Sequence, residues 1–366
     1  MNKWFKYRKS LASEKNQDIY VPFLSVFLGF VIGALVMIVT GHNPIEAYAA
    51  LLKGAGFFGD IKRLGDTLLN ATTLILTGLS IAFAFKTGLF NIGASGQMLV
   101  GGFAAILVGV KLTLPRIIHI PLVIIAAIVA GALWALIPGL LKAKFNIHEV
   151  VTTIMMNWVG MWSVYYFVPT LIPGTYNTES ASIEATASLR MKWLSDIFQG
   201  SYVNLGLFIA AVAAVIAWWI LQKTTFGYEL KAVGYNQHAA KYAGMKVGRN
   251  IVFSMMIAGA FAGLAGVTFY LGYAENLKIG TLPSQGFDGI AVALVGLSNP
   301  LGVVLAALLF GFMNAGKLFM QSSTDVPNEL VPIINGIIIF FAAANLMIKG
   351  WLQRINKQLN KKEGGL

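Results

Sequence analysis

The polar residues inside the apolar stretches of this chain are mostly uncharged. Three asparagines, Asn157, Asn314 and Asn335, fall within long apolar segments. An asparagine side chain both donates and accepts hydrogen bonds, so these groups suit an uncharged ligand that forms hydrogen bonds. They equally suit hydrogen bonds between neighbouring helices, and the residue pattern leaves both interpretations open.

The residue combinations that many enzymes need are missing from the sequence. It contains no Gly-x-x-x-x-Gly-Lys-Ser/Thr phosphate loop, no Gly-x-Ser-x-Gly motif and no His-Glu-x-x-His motif. The acidic residues nearest to membrane depth, Asp66, Glu149 and Asp288, all fall at the ends of predicted segments. We therefore expect no enzyme. The shortage of buried ionisable groups also argues against a carrier driven by protons or sodium.

Metal and cofactor sites are not expected either. The chain has four widely separated histidines and no cysteine. The histidines are too far apart in the sequence to indicate a histidine cluster, and without cysteine there can be no thiolate site. We predict no metal and no cofactor on this chain.

Composition and charge place the protein in a bilayer. The 366 residues are 57% hydrophobic and only 11% charged, which is too little charge for a soluble domain. The net charge of +12 comes largely from three basic clusters, in residues 3–15, 223–249 and 349–362. No aromatic platform for nucleic acid accompanies them. We interpret the clusters as cytoplasmic loops that face anionic lipid headgroups, and expect no nucleic-acid partner.

The apolar runs predict an all-α integral membrane protein with about ten transmembrane helices. Because a span needs about 20 helical residues, most of these runs are long enough to cross. An even number of spans with basic clusters at both ends puts the N- and C-termini in the cytoplasm. The predicted segments are Tyr20–Thr40, Thr67–Lys86, Gln97–Val110, His119–Leu141, Val150–Pro169, Val203–Leu221, Ile251–Leu271, Phe287–Leu297, Leu301–Met320 and Leu330–Ile348.

We predict a single membrane domain over residues 1–366. Its successive parts are a cytoplasmic leader (1–19), six spans (20–221), cytoplasmic helices (222–249), four spans (250–348) and a cytoplasmic tail (349–366). An eight-span alternative leaves the termini on the same side. Two groups of four spans, within 67–169 and 251–348, begin on opposite sides, which predicts an inverted repeat.

Two predicted segments are too short to cross a bilayer. Gln97–Val110 follows the polar run Asn91–Gln97, and Phe287–Leu297 runs into Gly296–Pro300. Short or interrupted helices in corresponding halves often mark a translocation pathway. The alternative is close helix packing at glycine, as we expect at Gly29/Gly33 and Gly259/Gly263. The candidate pathway residues are Asn91, Ser95, Gln97, Asn157, Asn299 and Asn314.

The polar stretch Gly227–Gly244 predicts two short cytoplasmic helices. The first covers Gly227–Val233 and breaks at Gly234, and the second covers Gln237–Ala243. Asn236 is suited to cap the second helix and Gly244 to end it. Ala239, Tyr242 and Ala243 share one face of that helix. A helix this short needs a packing partner, so we expect this face to dock on another protein.

Four motifs in this chain resemble one family. They are "NPIEAYAALLKGA" (Asn43–Ala55), "GLFNIGASGQMLVGG" (Gly88–Gly102), "FGYELKAVGYNQHAAKYAGM" (Phe226–Met245) and "GFDGIAVALVGLSNPLG" (Gly286–Gly302). In this order they resemble the permease subunits of bacterial ABC importers of the simple-sugar and nucleoside class. Ile92 stands where ribose-type permeases tend to have an acidic residue, so the chain looks most like nucleoside permeases. Lys231 replaces a common arginine, and Ser95 a frequent acidic residue.

The resemblance implies a type II-like permease in a bacterial cell membrane and a set of partners. These are a second, shorter permease subunit, a cytoplasmic ATPase that binds ATP and Mg²⁺, and a lipid-anchored or periplasmic substrate-binding protein. The substrate would be a nucleoside; a simple-sugar permease and an autonomous secondary carrier are the alternatives. The segment Gly174–Gly200 is a candidate receptor surface. The resemblance assigns ATPase coupling to Gly227, Glu229, Lys231, Gly234, Asn236, Ala239, Ala240, Ala243 and Gly244.

Overall fold

The structure is a computed structural model that describes residues 14–176 and 178–344. The described residues form α-helices and the segments that connect them, with one π-helical turn, Tyr270–Ala274; the connection from Leu171 to Lys192 is long and contains isolated β-bridges. The basic leader, the basic tail and the end of the tenth predicted segment lie largely outside the described residues. The helices are α1 (Glu14–Val39), α2 (Pro44–Gly54), α3 (Ile61–Lys86), α4 (Ala94–Lys111), α5 (Arg116–Phe145), α6 (Glu149–Leu171), α7 (Lys192–Ile197), α8 (Gly206–Lys223), α9 (Thr225–Tyr235), α10 (Gln237–Tyr242), α11 (Val247–Phe269), α12 (Gln285–Val295), α13 (Pro300–Thr324) and α14 (Leu330–Ala343).

Seven of these helices are long and apolar enough to span a membrane: α1, α3, α4, α5, α8, α11 with its π-turn, and α13. Helix α6 has 23 residues, but its Asn, Thr, Trp and Tyr side chains make it less apolar. Helix α12, with 11 residues, is short as predicted. Helix α4 is longer than predicted, with 18 residues, because the polar run from Ala94 to Gln97 forms its first turn. The all-α membrane fold is thus confirmed, while the count of ten spans stays a prediction.

Helix α5 has the pattern of a span that faces lipid on one side. Ile125, Val129, Leu133 and Ile137, four residues apart, are each more than two-fifths exposed. The opposite stripe carries small buried residues, including Ala127 and Gly131. Apolar side chains on the exposed stripe suit hydrocarbon, and small ones on the other stripe let a neighbouring helix approach.

That neighbour is α11, and glycines set the distance between the two backbones. A Cβ at Gly131 would lie against the Gly259 carbonyl oxygen, and a Cβ at Gly263 against the Ala127 carbonyl oxygen. Helix α4 approaches α11 in the same way, since a Cβ at Gly266 would meet the Met98 carbonyl. The predicted packing role of Gly259 and Gly263 is confirmed. Helices α4, α5 and α11 form the tightly packed centre of a compact unit that comprises residues 51–319.

A second compact unit contains the described residues up to Ala50 and from Met320 onward. Within it α1 packs on α14, where a Cβ at Gly29 or Gly33 would meet the side chains of Ile338 or Ile334, respectively. The Tyr48 hydroxyl donates a 2.6 Å hydrogen bond to the Phe30 carbonyl. The predicted packing of Gly29 and Gly33 is therefore confirmed. The prediction of a single domain over the whole chain stays a prediction.

Candidate functional site

Asn91 and Gln97 form a closed amide pair at the beginning of α4. Asn91 Nδ2 donates to Gln97 Oε1 at 2.9 Å, and Gln97 Nε2 donates back to Asn91 Oδ1 at 3.1 Å. The Asn91 oxygen also accepts from the Gly93 amide. Both side chains are buried, so their hydrogen bonds are used to shape the entry into the helix.

Asn157, on α6, and Ser95, in the first turn of α4 itself, connect this arrangement to distant parts of the chain. Asn157 Oδ1 accepts from the Gly96 amide at 2.8 Å, and its Nδ2 donates to the Ile92 carbonyl at 3.0 Å. Ser95 Oγ donates to the Pro283 carbonyl at 2.9 Å. The first amides of a helix lack partners within the helix, and Asn157 satisfies one of them. Four of the predicted pathway residues thus lie together and hold α4 in place.

The other two predicted pathway residues lie elsewhere. Asn299 is exposed, and its side-chain oxygen accepts from the Leu301 amide at 3.0 Å at the start of α13. Asn314 lies on α13 and lines a cavity of about 510 Å³ between helices, which we call the interhelical cavity. It is the one predicted pathway residue among those that line this cavity.

The interhelical cavity is both polar and aromatic. Asp66, Asn70 and Thr73 line it from α3, Asp288 from α12 and Lys317 from α13. Asp66 Oδ1 accepts a 2.7 Å hydrogen bond from Ser201 Oγ. Sequence reasoning placed Asp66 and Asp288 at segment ends and did not join them. The spacing of residues 66, 70 and 73 puts them on one helical face, a signal that could have found this wall.

A second cavity of about 710 Å³ lies among the segments that connect helices, and we call it the vestibule. Glu179, Arg190 and Lys278 are among the charged residues that line it. Glu179 and Arg190 belong to the segment Gly174–Gly200, which was predicted as a receptor surface. The interhelical cavity and the vestibule share a set of lining residues: Tyr202, Phe269, Tyr273 and Gln285.

The predicted pair of short helices is present as α9 and α10. Asn236 caps α10, because its Oδ1 accepts from the amides of His238 at 2.9 Å and Ala239 at 3.0 Å. Gly244 ends the pair with φ of +83°, a left-handed conformation that favours glycine. Thr224, which the prediction missed, caps α9 by accepting from the Gly227 amide at 3.0 Å.

The predicted break at Gly234 is wrong, since α9 continues through Gly234 to Tyr235. Gly234 is a packing residue: a Cβ there would lie against the Lys86 carbonyl oxygen and 3.1 Å from the Gly88 amide nitrogen. A glycine is needed at this position because a larger side chain would not fit, and not because the backbone turns there. Gly234 therefore sets how closely α9 approaches the end of α3.

The predicted docking residues divide between an outer and an inner face. On the outer face, Ala239, Ala243 and Gly244 are exposed, together with Tyr235 (90%) and Tyr242 (95%). On the inner face, Ala240 is buried and packs with the hydrophobic cluster of Val233, Ile251 and Met255. The outer face is the part available to another protein.

Glu229 binds within the chain instead. Its Oε2 lies 3.1 Å from Arg249 Nη2 and 2.8 Å from Asn250 Nδ2, both in the first turn of α11. Gly227 is buried against the end of α8, where a Cβ would meet the Ile220 carbonyl. Lys231 is partly buried. Beside these contacts, a groove of about 360 Å³ is lined by residues that include Tyr228, Glu229, Ala243 and Arg249.

The sequence comparisons identify the class of protein. A family described as the permease component of branched-chain amino acid transport systems matches residues 63–343, and the chain belongs to this family.

Individual relatives match nearly the whole chain. The chain is 46% identical to the guanosine ABC transporter permease protein NupP of Bacillus subtilis, over 93% of this chain and 97% of NupP. It is 38% identical to the nucleoside ABC transporter permease protein NupB of Lactococcus lactis, over 96% and 99% of the two chains. It is 31% identical to the glucose ABC transporter permease protein TsgB13 of Haloferax volcanii, over 90% and 88%. The prediction of a multi-pass ABC permease is confirmed.

Proposed function

We propose that this chain is the membrane-spanning subunit of an ATP-driven importer of nucleosides. Two relatives named for guanosine or nucleoside transport match nearly the whole chain, at 46% and 38% identity. The chain supplies a passage through the membrane and no catalysis. ATP and Mg²⁺ bind to a separate ATPase subunit.

The lining of the interhelical cavity is the observation that carries the nucleoside assignment. Phe269, Tyr273 and Tyr202 offer aromatic rings, and Asn70 and Asn314 offer side-chain amides. Aromatic faces stack on a planar base, while amides hydrogen-bond to base edges and ribose hydroxyls. The volume of about 510 Å³ is within the usual range for a small-molecule site.

The orientation proposed here follows the distribution of basic residues. The cluster within 223–249 surrounds α9 and α10, and Lys142 and Lys144 lie in the last turn of α5. Cytoplasmic loops of membrane proteins are enriched in Lys and Arg. The short helices then face the cytoplasm of a bacterial cell, as do both termini. The vestibule faces the outside.

The proposed orientation indicates which surface each partner protein would bind. The ATPase binds the outer face of α9 and α10, at Ala239, Tyr242 and Ala243. A substrate-binding protein, lipid-anchored or periplasmic, delivers the nucleoside to the vestibule, where residues 174–200 form part of the rim. A second permease subunit completes the passage. ATP-driven closure of the ATPase then moves the short helices and changes which side of the membrane the cavity faces.

A competition assay tests the substrate class. Uptake of a radiolabelled nucleoside is measured in cells that depend on this transporter, with an excess of unlabelled nucleoside, free base or pentose. We expect nucleosides alone to compete strongly, because only they fill both aromatic and polar parts of the cavity. Competition by simple sugars and not by nucleosides would instead support a sugar permease, the alternative favoured by the similarity to TsgB13.

A further inference from the structure

Three aromatic rings line both the vestibule and the interhelical cavity. Tyr202, Phe269 and Tyr273 line both cavities, so they lie at the boundary between them. The Tyr202 and Tyr273 rings meet edge to face, with centroids 5.8 Å apart. Phe269 lies 5.7 Å from Tyr273. We call these three residues the aromatic partition.

The partition depends on the end of α11. Phe269 is the last residue of α11 and Tyr273 belongs to the π-helical turn that follows it. The last carbonyl groups of a helix have no donor within the helix, so outside groups must satisfy them or the end frays. The position of Tyr273 is therefore set by whatever binds the carbonyls at this end.

Two consecutive residues of the segment before α7 bind three consecutive carbonyls there. The Leu189 amide donates to the Leu271 carbonyl at 3.0 Å. Arg190 Nε donates to the Gly272 carbonyl at 3.1 Å, and Arg190 Nη2 donates to the Tyr273 carbonyl. A cation at a helix C-terminus is also favoured by the helix dipole.

The same guanidinium contacts the other side of the partition. Its Cζ lies 4.4 Å from the centre of the Tyr202 ring, a cation–π contact. Its Nη1 lies 3.3 Å from Glu275 Oε1. Arg190 is held in turn by Arg116, whose Nη2 donates to the Arg190 and Ser188 carbonyls. One side chain thus joins the backbone of Tyr273 to the ring of Tyr202.

We infer that Arg190 is a positioning residue that holds the aromatic partition closed between the vestibule and the interhelical cavity. The inference rests on the proposed function only in treating the two cavities as successive parts of a substrate path. A planar guanidinium can donate to two carbonyls, pair with a carboxylate and stack on a ring at once. A lysine ammonium is a single compact charge and cannot make this set of contacts.

Cysteine labelling tests the inference, because the chain contains no natural cysteine. One cysteine is placed in the interhelical cavity by Asn314→Cys, and in a separate protein one is placed in the vestibule by Lys278→Cys. The labelling rate with a charged, membrane-impermeant maleimide is measured from the vestibule side in the full complex. Each cysteine is introduced into three versions of the chain, which carry the native Arg190, Arg190→Lys or Arg190→Gln. Labelling after denaturation measures the total amount of protein.

We expect Arg190→Gln to speed labelling of Asn314→Cys by about tenfold, since hydrogen bonds to a charged group are lost. Arg190→Lys is expected to give a smaller increase, and labelling of Lys278→Cys is expected to stay unchanged. Equal acceleration at both sites would mean general loosening and would overturn the inference. An unchanged or slower rate at the Asn314→Cys site would also overturn it. Labelling requires no nucleoside and no ATP, so this result is independent of whether the substrate assignment is correct.

Discussion

Glu229 on α9 and Arg249 on α11 are joined by an ion pair of 3.1 Å, and the same carboxylate accepts from Asn250. This contact connects the short helix α9 to the helix whose far end carries Phe269 of the aromatic partition. Between these ends α11 packs through glycine on α4 and α5. In the proposed mechanism, we expect a movement of α9 to be passed through this contact to a helix that reaches the cavities.

Replacing Glu229 with alanine tests this connection. Because the pair is partly exposed, we expect a coupling energy of about 0.2–1 kcal/mol, equivalent to up to about fivefold in ATPase affinity. A double-mutant cycle with Arg249→Ala, read out as the Kd for the ATPase, measures it. Strictly additive effects of the two substitutions would show that the pair does not support docking.

Gly234→Ala tests the corrected role of Gly234. The added Cβ would press on the Lys86 carbonyl, and we expect a loss of about 1–3 kcal/mol with displacement of α9 and weaker ATPase binding. Gly248→Ala is the matched control, since its nearest neighbour, the Ala143 Cβ, is 3.8 Å away. Thermal unfolding in detergent and ATPase pull-down are the measurements. Equal behaviour of the two variants would contradict the packing role.

The outer face of α10 is tested by Tyr242→Asp. Because Tyr242 is 95% exposed, we expect the substitution to leave folding intact. If the ATPase buries this face as proposed, we expect the aspartate to lower ATPase affinity by about tenfold or more. Tyr176→Asp, at another exposed tyrosine (68%) in the segment proposed to lie outside, is the control. Normal pull-down of the ATPase by Tyr242→Asp would remove this face from the docking surface.

Asn91→Ala and Asn314→Ala separate a structural from a pathway role. Asn91→Ala leaves Gln97 without its amide partner, and we expect a loss of about 1–3 kcal/mol in stability. Asn314→Ala removes a cavity hydrogen-bonding group, and we expect KM for uptake to rise about 2- to 10-fold with unchanged unfolding temperature. Uptake kinetics and thermal unfolding distinguish the two. A raised KM for Asn91→Ala together with a loss of stability for Asn314→Ala would instead place the pathway at the start of α4.

Features that depend on neighbouring residues could be predicted from the sequence, and those that depend on distant ones could not. Asn236 caps amides two and three residues away, so its type and position were sufficient. The reason for Gly234 lies at Lys86, and a single sequence does not bring these residues together. The first turn of α4 is bound by Asn157, 61 residues away, which is why that helix was predicted too short.

The cavity shows the same limit. Asp66 and Asp288 were each recognised as acidic residues near membrane depth, but helix periodicity cannot tell that α3 and α12 line one space. Asn314 was selected for its residue type alone, and the structure places it in the lining of the same cavity as Asp66 and Asp288. The apolar runs, by contrast, predicted the membrane fold directly, since span length and hydropathy are local properties.

ATP dependence tests the central claim most directly. The full complex, containing this chain, its permease partner, the ATPase and the substrate-binding protein, is reconstituted in liposomes with the ATPase side accessible to added nucleotide. We predict that a radiolabelled nucleoside crosses toward the ATPase side only when ATP is supplied, and that omitting the ATPase stops transport. Equal nucleoside transport by this chain without ATPase or ATP would contradict the account.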